Sequence, residues 1–415
     1  MKWPMVPLRE VAPPEPSRIQ FQPDQEVWLL TLDQIESHTG FIINKRVVPA
    51  REAGSSTVSF DAGNVLYSKL RPYLNKVVWP QEAGIATTEL IPLRPRPGIL
   101  NCAYLTYYLR SNYFLPFAQQ CVAGVKMPRI IMAKFWEHCL PLPPLSEQRR
   151  IVEILDQADA LRKKRAEADA KAERILPALF YRIFGDPATN PMGWDVIPIR
   201  SLVSKVDRRN PSDQPDVPFN YIDISGVDGI LRRIVEVKTL LGAEAPSRAR
   251  QVVEANDVLV STVRPYLRAT ALVPSHLDNQ ICSTGFCILR AREDKGFGYL
   301  YVLTRLAWFT ERLNERARGA SYPAVTDNDV LNLYIPYPKD VNIVFAFDDL
   351  VSELVASQEQ RLLSNKKIES LFSALLHRAF SGDLTARWRE ARMKELLAEM
   401  EEQARALGNA EGVLC

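Results

Sequence analysis

The chain has 415 residues, of which 47% are hydrophobic and 24% charged, and this composition is typical of a globular protein with two or three domains. The formal net charge is only +3 at pH 7, which excludes a global basic field and requires any nucleic-acid site to come from local clusters of basic side chains. No apolar run reaches the roughly eighteen residues of a membrane span and no signal-peptide core precedes the first elements, so we expect a cytoplasmic protein.

Several segments of the chain occur twice. "KWPMVPLREV" from Lys2 resembles "GWDVIPIRSL" from Gly193, and "VLYSKLRPYLNKV" (65–77) returns as "VLVSTVRPYLRAT" (258–270). Later, "AGVKMPRI" from Ala123 resembles "RGASYPAV" (318–325), with a glycine and a proline kept in register. The blocks follow in the same order at a nearly constant separation that is too long for a solenoid repeat. The sequence therefore predicts a duplicated domain.

Each copy mixes strand and helix patterns. Alternation predicts strands in "FNYIDISGV" from Phe219, in "NDVLVSTVRPYL" from Asn256 and in "TGFCILRA" from Thr284. The segment "YLYVLTRLAWFTERLNERA" from Tyr299 has the apolar spacing of one helix. The predicted fold class is α+β, with two similar α/β globes.

A long helical segment follows each copy, 146–185 after the first and 341–382 after the second. Each is rich in helix-forming residues and spans about 60 Å at the rise of an α-helix. Ser146 is the predicted N-cap of the first, and Gly185 and Gly382 are predicted stop signals. The predicted apolar seams are Ile154, Ala158, Leu161, Arg165, Ala168, Ala172, Ile175 and Leu179, and Phe347, Val351, Leu354, Gln358, Arg361, Asn365, Ile368, Phe372, Leu375 and Ala379.

One amphipathic helix alone cannot bury its seam, so we expect the two helices to pair. The second helix must return beside the first after a globe at the far end, which predicts an antiparallel coiled coil holding the globes apart with pseudo-two-fold symmetry. The predicted segments are 1–145 as the first globe, 146–185 as a spacer helix, 186–340 as the second globe, 341–382 as the second spacer helix, and 383–415 as a helical tail.

Two similar globes at a fixed distance suit one linear partner that is recognised at two places, as duplex DNA is by dimeric proteins. Arginine suits guanine, lysine suits phosphate and asparagine suits adenine, so clusters of these residues are the candidates. The candidate DNA-binding residues are Lys69, Arg71, Tyr73, Lys76, Lys126 and Arg129 in the first globe, and Arg208, Arg209, Asn210, Arg232, Arg233, Arg264, Tyr266 and Arg268 in the second.

The shared "RPYL" run has a second interpretation. Arg71 and Arg264 could be shared because they hold a strand-to-turn element together, with arginine packed on tyrosine. Residues that differ between the globes are better candidates for base recognition, whereas shared residues are better candidates for backbone contact or architecture.

Signals of catalysis are weak. Asp216 with Glu236 and Lys238 fits a loose nuclease pattern, but the aligned first globe has no counterpart and solvated strand residues are the preferred interpretation. There is no "NPPY" motif of adenine methyltransferases and no phosphate-binding loop. The four histidines lack metal-ligand spacing, and six cysteines without a C-x-x-C pair predict no zinc site. We expect a chain that binds rather than catalyses, without a cofactor or metal.

The order of globes and helices, with "VLYSKLRPYLNKV", "VKMPRI", "LPLPPLSEQRRIVEILDQADALRKK" and "AFSGDLTARWR", resembles the specificity subunit of type I restriction–modification systems. The resemblance covers Trp3 to about Arg389. It implies two target recognition domains, each contacting half of a bipartite sequence in double-stranded DNA. It also implies a spacer that docks two methyltransferase (modification) subunits, which restriction/translocase subunits join in the full complex. S-adenosylmethionine and ATP sites would belong to those partners.

The chain departs from the family pattern in places. The second helix starts "YPKDVNIVFAFDDLV", without the "PLSEQ" of the first, and "ASYPAV" lacks counterparts of Lys126 and Arg129. The tail has possible anchors in Trp388, Leu396, Met400 and Leu407, which could complete the helical rod or contact a partner. A non-DNA scaffold that organises protein partners is the alternative function, and an independent nuclease is a third.

Overall fold

The structure, a computed structural model, describes residues 3–292 and 295–408. The chain divides into two compact units, which we call unit 1 (Met1–Arg165 with Ser364–Cys415) and unit 2 (Ala166–Leu363). Each unit contains one copy of the repeat and the adjoining part of each long helix. The predicted separation of globes from spacer helices at 145, 185, 340 and 382 therefore stays a prediction, because this division cuts through the helices instead.

The strands are numbered in chain order. Those of unit 1 are β1 (Met5–Pro7), β2 (Glu26–Leu30), β3 (Val47–Pro49), β4 (Thr57–Phe60), β5 (Val65–Ser68), β6 (Val77–Val78), β7 (Gly84–Thr87), β8 (Leu90–Leu93), β9 (Val122–Ala123), β10 (Arg129–Ile130) and β11 (Cys139–Pro141). Those of unit 2 are β12 (Asp195–Pro198), β13 (Pro218–Ile222), β14 (Val227–Asp228), β15 (Arg233–Ile234), β16 (Lys238–Leu241), β17 (Ala249–Val253), β18 (Val258–Ser261), β19 (Thr270–Leu272), β20 (Gln280–Ser283), β21 (Phe286–Leu289) and β22 (Tyr334–Tyr337).

The helices are numbered in the same way. They are α1 (Leu8–Val11), α2 (Cys102–Arg110), α3 (Leu115–Gln120), α4 (Met132–Glu137), α5 (Leu145–Ala172), α6 (Ile175–Phe184), α7 (Phe297–Arg305), α8 (Ala307–Asn314), α9 (Asp327–Leu331), α10 (Val341–Ser381), α11 (Ala386–Glu390) and α12 (Met393–Ala406). The single helix predicted from Tyr299 is two helices, α7 and α8, because the buried Leu306 between them is extended, with ψ of 148°.

The two units have the same strand topology. A four-stranded sheet is ordered β3-β2-β7-β4 in unit 1 and β16-β13-β20-β17 in unit 2, and its central pair is parallel in both. A three-stranded sheet is ordered β6-β5-β8 and β19-β18-β21, and the first strand pairs with the last in β1-β11 and β12-β22. The mixed α+β class is confirmed, and the shared topology agrees with the predicted duplication.

The cores of the units are also alike. In unit 1, Tyr104 of α2 is fully buried and its hydroxyl donates to the Pro141 carbonyl at 2.9 Å. In unit 2, Tyr299 of α7 is buried and donates to the Pro336 carbonyl. Each hydroxyl thus holds the central helix against the strand that pairs with the first strand of its own unit.

The first long helix differs from its prediction in two ways. It begins at Leu145, so Ser146 is not the N-cap; its N–H instead donates to Glu399 Oε2 at 3.1 Å. The helix is also interrupted after Ala172, and α6 begins at Ile175. The interruption follows from Pro177, whose ring has no N–H for the carbonyl of Glu173 and would clash with it in a continuous helix.

The predicted seam of this helix is partly wrong. Leu161 and Ile175 are 64% and 41% exposed, whereas Arg162 and Leu176, one position further on, are buried. Arg162 donates to Asp159 and Glu369 at 3.0 and 2.8 Å, and its guanidinium stacks on the Phe372 ring at 4.2 Å. A search for apolar spacing favours Leu161 over the neighbouring Arg162, although the arginine is the buried residue, which explains the shift of the prediction by one residue.

The second long helix agrees with its prediction. It ends at Ser381, and Gly382 follows with φ of 87°, a conformation that favours glycine at a helix end. Phe347, Val351 and Phe372 of the predicted seam are buried. Within unit 1, Glu147 contacts Thr385 and Arg162 contacts Glu369, so the two helices run antiparallel there.

Within unit 2 the helices are antiparallel as well, since Asp169 approaches Arg361 and Glu173 accepts from Gln358.

The described part of the C-terminal tail packs on unit 1. Leu396 is 1% exposed, and Gln403 Nε2 donates to the Ile99 carbonyl at 3.2 Å. Glu147, fully buried near the start of α5, accepts from Trp3 Nε1 and from Arg389 Nε at 3.0 and 2.8 Å. One carboxylate therefore joins the first residues of unit 1, the start of α5 and the tail.

Candidate nucleic-acid interface

The repeated "RPYL" run forms the same turn in both units. In unit 1 a 3₁₀ turn, Pro72–Leu74, lies between Arg71 at φ 50° and Asn75 at φ 48°. In unit 2 the turn Pro265–Leu267 lies between Arg264 at φ 49° and Arg268 at φ 56°. Left-handed backbone is unfavourable for residues with a side chain, by about 1–2 kcal/mol each. The run is shared because it encodes an unusual backbone, with proline presetting φ at the first position of the turn.

The second repeated motif docks on this turn. The Arg71 N–H donates to the Pro128 carbonyl at 2.7 Å, and the Arg264 N–H donates to the Pro323 carbonyl at 2.7 Å. The loops that end in these prolines begin at glycines with φ of 91° and 100°, Gly124 and Gly319. The glycine and proline kept in register along the sequence thus mark one loop that packs against the "RPYL" turn.

A third loop meets the other side of the turn. In unit 1 it is the turn 36–41, in which His38, at φ 66°, donates its N–H to the Leu74 carbonyl at 3.0 Å. In unit 2 it is the turn 228–233, in which a side chain at Gly229 would come within 1.9 Å of the Leu267 carbonyl oxygen. We call these assemblies the three-loop faces: 36–41, 71–75 and 124–128 in unit 1, and 228–233, 264–268 and 319–323 in unit 2.

The three-loop face of unit 1 presents cations with apolar and aromatic groups. Arg71 and Lys126 are exposed, and Tyr73 between them in sequence is 43% exposed. His38 is exposed, and Val125, at the tip of the loop 124–128, is fully exposed. Cations of this kind can neutralise phosphate groups, and the ring of Tyr73 offers a surface for sugar or base.

The three-loop face of unit 2 is richer in arginine and tyrosine. Arg268 is exposed and Tyr266 is half exposed. The guanidinium of Arg264 lies 4.3 Å from the centre of the Tyr322 ring, which is itself 68% exposed. The expected packing of this arginine on the tyrosine of "RPYL" is therefore not what the structure shows, because Arg264 stacks on Tyr322 of another loop instead.

Three candidates of unit 1 are engaged within the protein. Lys76 Nζ donates to the Leu32 carbonyl at 2.6 Å, and burial lowers the pKa of this ammonium against the opposing effect of Asp33. Arg129 binds Glu89 through two nitrogens, the shorter contact being 2.7 Å, and this hydrogen bond raises the pKa of Arg129. Lys69 is half-buried beside Glu89, whose carbonyl accepts its N–H at 3.0 Å.

Unit 2 has neither charge of the Arg129–Glu89 ion pair at the equivalent positions. The bridge that pairs Leu70 with Arg129 corresponds to the bridge of Val263 with Ala324. The carbonyl of Glu89 corresponds to that of Gly285, which accepts from the Thr262 N–H at 2.9 Å. Ala324 replaces Arg129 and Gly285 replaces Glu89, so the two charges are lost together. We therefore interpret the pair as structural, with Glu89 as the partner of the Arg129 guanidinium.

Arg232 of unit 2 turns inward. Its guanidinium donates to the Arg305 carbonyl, and burial, with the positive charge of Arg305, lowers its pKa to about 10. Arg232 occupies the place of Gly40 in unit 1, where a side chain would come within 2.0 Å of the Arg110 guanidinium. Arg110 and Arg305 end the equivalent helices α2 and α7. In unit 1 the guanidinium of Arg110 fills the space beside the turn, and in unit 2 the side chain of Arg232 extends from the turn toward Arg305.

The remaining candidates of unit 2 lie beside β17 and on β15. Arg208 pairs with Gln251 of β17, and Arg209 donates to Asn279 Oδ1 at 2.6 Å. Asn210 donates to Asp213 Oδ1 at 2.7 Å and caps the following turn. Arg233 lies on β15 opposite Asp228, at the end of the turn 228–233. The structure thus brings Arg233, Arg264, Tyr266 and Arg268 to one face and holds Arg208–Asn210 along another strand.

The nuclease pattern is not assembled into a metal site. Lys238 Nζ lies 3.7 Å from Asp223 Oδ2, and Asp216 and Glu236 are exposed. Among residues 3–292 and 295–408, no group of three His, Cys, Asp or Glu side chains is arranged to hold a metal ion. Within the same residues, no helix is long and apolar enough to span a membrane.

Sequence comparison missed His38, Ile230 and Tyr322, which the structure places on the three-loop faces. Their turns share few letters, and only the left-handed residues His38, Gly40 and Arg232 mark them as equivalent. The "DG" pair at Asp228–Gly229 signals the turn of unit 2, but nothing in the sequence shows which loops it approaches.

Known proteins resemble the chain in sequence and in structure. The family model of the Type I restriction modification DNA specificity domain matches residues 49–169. The Type I restriction enzyme EcoDI specificity subunit of Escherichia coli is 26% identical over 159 residues, which are 37% of this chain and 35% of that protein. The Type I restriction enzyme MjaVIII specificity subunit of Methanocaldococcus jannaschii is 23% identical over 69% of this chain and 73% of its own.

Two solved structures share the fold. A chain from a type I R-M system described for its complex assembly and conformational transition has a TM-score of 0.53 at 21% identity, over 92% of this chain and 98% of its own. The Type-I restriction-modification system S subunit from M. genitalium has a TM-score of 0.53 at 11% identity, over 91% and 96%. The EcoDI match spans only about a third of that relative, whereas the two structures are covered almost completely. Over residues 49–169 in sequence and over most of the chain in fold, the protein is thus similar to the specificity subunits of type I restriction–modification systems.

Proposed function

We propose that the chain is the DNA-recognition subunit of a type I restriction–modification complex and that each unit contacts one half of a bipartite target. The observation that carries the proposal is the three-loop face, which is built twice on the same backbone with different exposed side chains. A repeated backbone fixes how each unit approaches a duplex, while different side chains select different bases. The target is then two unlike short sequences separated by base pairs that neither face contacts.

Binding free energy in this proposal comes mainly from phosphate neutralisation. Arg71 and Lys126 of unit 1 and Arg268 of unit 2 are exposed, whereas Arg264 is half-buried against the Tyr322 ring. We assign all four to phosphate contact. The left-handed arginines before each turn are fixed at the backbone by the proline carbonyls, so their side chains start from the same place in both units. Lys76, Arg129 and Arg232 position the loops, because their side chains are engaged inside the protein.

The arrangement of the units is part of the proposal. We take the antiparallel helices α5, α6 and α10 as the spacer that keeps the two globes apart, with an approximate two-fold axis between them. The same helices offer the surface on which two methyltransferase subunits dock, and restriction/translocase subunits join through these. The EcoDI and MjaVIII relatives, both specificity subunits of type I restriction enzymes, support this assembly.

A salt titration with double-stranded DNA tests the proposal. The full chain is titrated onto a labelled duplex that carries its selected target, at salt concentrations between 50 and 200 mM, roughly the range in which phosphate contacts dominate. With about four phosphates neutralised, affinity should fall on the order of a hundredfold across this range. A scaffold that binds protein partners through apolar contacts would show little affinity for the duplex and no such slope.

A further inference from the structure

The most exposed aliphatic side chain of unit 2's three-loop face is held rigidly. Ile230 is 90% exposed at the tip of the turn 228–233. The carboxylate of Asp228 accepts from the N–H groups of Ile230 and Leu231, both at 2.7 Å, and its carbonyl accepts from Arg232 at 2.7 Å. The turn is closed on itself by one aspartate, so its tip cannot collapse to bury the isoleucine.

The turn is also fixed to the body of unit 2. Gly229 lies so close to the Leu267 carbonyl that no other residue would fit there. Arg232 donates to the Arg305 carbonyl, and Arg305 Nη1 donates back to the Arg232 carbonyl at 3.4 Å. Holding a large aliphatic group in water is unfavourable, and this group stands beside cations and a tyrosine on a face proposed to meet DNA.

The equivalent turn of unit 1 places a different chemical group at the same point. His38 there is exposed and follows Ser37 as Ile230 follows Gly229, and its N–H is bound to the Leu74 carbonyl. The two tips thus lie at corresponding points of supported turns, although His38 is left-handed at φ 66° and Ile230 is not. They differ in chemistry, imidazole in one unit and aliphatic in the other. Positions of this kind separate two recognition specificities built on one frame.

We propose that Ile230 is a specificity-determining residue that contacts the 5-methyl group of a thymine in the half of the target recognised by unit 2. The proposal rests on the proposed function. In the major groove the thymine methyl is the apolar feature of the base edges, so it is the partner that suits an aliphatic side chain without hydrogen-bonding groups. Arg268 and Tyr266, on the loop against which the turn is packed, would hold the backbone of the same segment.

The test is a double-mutant cycle, in which the thymine methyl group is removed from the DNA and the aliphatic side chain of Ile230 is removed from the protein, singly and together. The bound sequence is first selected from a random duplex library, and each thymine of the second half-site is then replaced by uracil, which lacks only the methyl. At one position the substitution should weaken binding of the full chain about fourfold, the effect of one buried methyl-sized group. Ile230→Ala should weaken binding to the thymine duplex similarly and should no longer distinguish thymine from uracil.

Val235→Ala is the matched control, since Val235 is 51% exposed just beyond the same turn. It should leave the thymine preference unchanged. The inference is overturned if the full chain binds thymine and uracil duplexes equally, or if Ile230→Ala keeps the preference for thymine. It is also overturned if Ile230→Ala weakens binding to all duplexes alike, as expected of a residue that only supports its own loop. Loss of the proposed function itself would appear differently, as selection that recovers no sequence and binding that does not depend on salt.

Discussion

The two units reach the same backbone with different side chains. In unit 1 the N-terminus of α2 is held by Gln148, whose Oε1 accepts from the Asn101 N–H at 2.8 Å. In unit 2 the N-terminus of α7 is held by Asp348, which accepts from Gly296 and Gly298 at 2.5 and 2.7 Å. The donors are equivalent, but the acceptors stand at different turns of their helices. What the copies preserve is the position of backbone groups, and side chains are free to diverge around them.

The same contrast holds at the start of the long helices. Unit 1 buries Glu147 completely and joins it to the tail through Arg389. Unit 2 begins α10 with the exposed Val341 and Asn342, whose contacts are local to Asp340. The start of α5 is therefore fixed by the ion pair of Glu147 and Arg389, and the start of α10 has no such pair. We expect the largest difference in stability between the units at these two helix starts.

Glu147→Ala should destabilise unit 1 strongly. The change leaves the guanidinium of Arg389, whose side chain is 12% exposed, without its buried carboxylate. It also removes the acceptor of Trp3 and Thr385. Breaking a buried pair on one side typically costs about 3–5 kcal/mol. Urea unfolding followed by tryptophan fluorescence measures it, because five of the seven tryptophans belong to unit 1.

Asn342→Ala is the control at the start of α10. Its side chain is exposed and contacts only Asp340 among the hydrogen bonds of the described residues, so it should change stability by less than about 0.5 kcal/mol. Equal effects of the two variants would show that the difference between the helix starts is not energetic.

Unit 1 should also be the more acid-sensitive unit, because of His138. Its imidazole lies 2.8 Å from the Tyr108 hydroxyl and 4.2 Å from the centre of the Phe117 ring, and burial lowers its pKa to about 4. The equivalent residue of unit 2 is Leu333, since the carbonyls of His138 and Leu333 accept from Leu8 and Ile199 in the same way. Unit 2 therefore has no titrating group at this position.

A depressed histidine pKa gives stability that is complete above the unfolded value near 6.5 and is lost as pH falls toward the folded value. Between pH 8 and pH 5, His138 should lower the free energy of unfolding by roughly 2 kcal/mol. His138→Leu, which copies unit 2, should remove this part of the pH dependence in urea titrations at the two pH values. A variant with an unchanged pH dependence would assign the acid sensitivity to other groups.

A smaller effect, on DNA affinity and its salt dependence, should distinguish the exposed Arg71 from Arg129, which is bound to Glu89. Arg71→Ala should weaken binding to every duplex by about fivefold and reduce the salt slope by about one, as expected for a phosphate contact. Arg129→Ala, in the neighbouring loop, should leave the slope unchanged because its guanidinium is occupied by Glu89. Equal losses of slope would place Arg129 on the DNA together with Arg71.

The duplication and the fold class could be predicted because they depend on local patterns. Gly124 with Gly319, and Pro128 with Pro323, recur at fixed places and mark turns that need them. The end of α10 was predictable for the same reason, as Gly382 follows it in a left-handed conformation. Signals of this kind act within a few residues of the chain.

The composition of the candidate site could not be predicted in the same way. Arg71 and Lys76 are both basic residues of one run, yet one is exposed and the other donates to a carbonyl from a distant segment. Ile230 has no sequence signal of function, since its exposure results from the packing of three loops. A buried arginine at position 162 likewise displaced the predicted seam, because the charge is satisfied by residues far along the chain.

The central claim, two copies of one face that a helical spacer holds apart on DNA, is tested most directly by shortening the spacer. Removal of one matched heptad from α5 and α10, residues 163–169 and 362–368, takes about 10 Å from the helix pair, or about three base pairs of duplex. Selection from a random duplex library should then recover both half-sites unchanged with the gap shortened by about three base pairs. An unchanged gap, or one continuous sequence selected by the intact chain, would contradict the account.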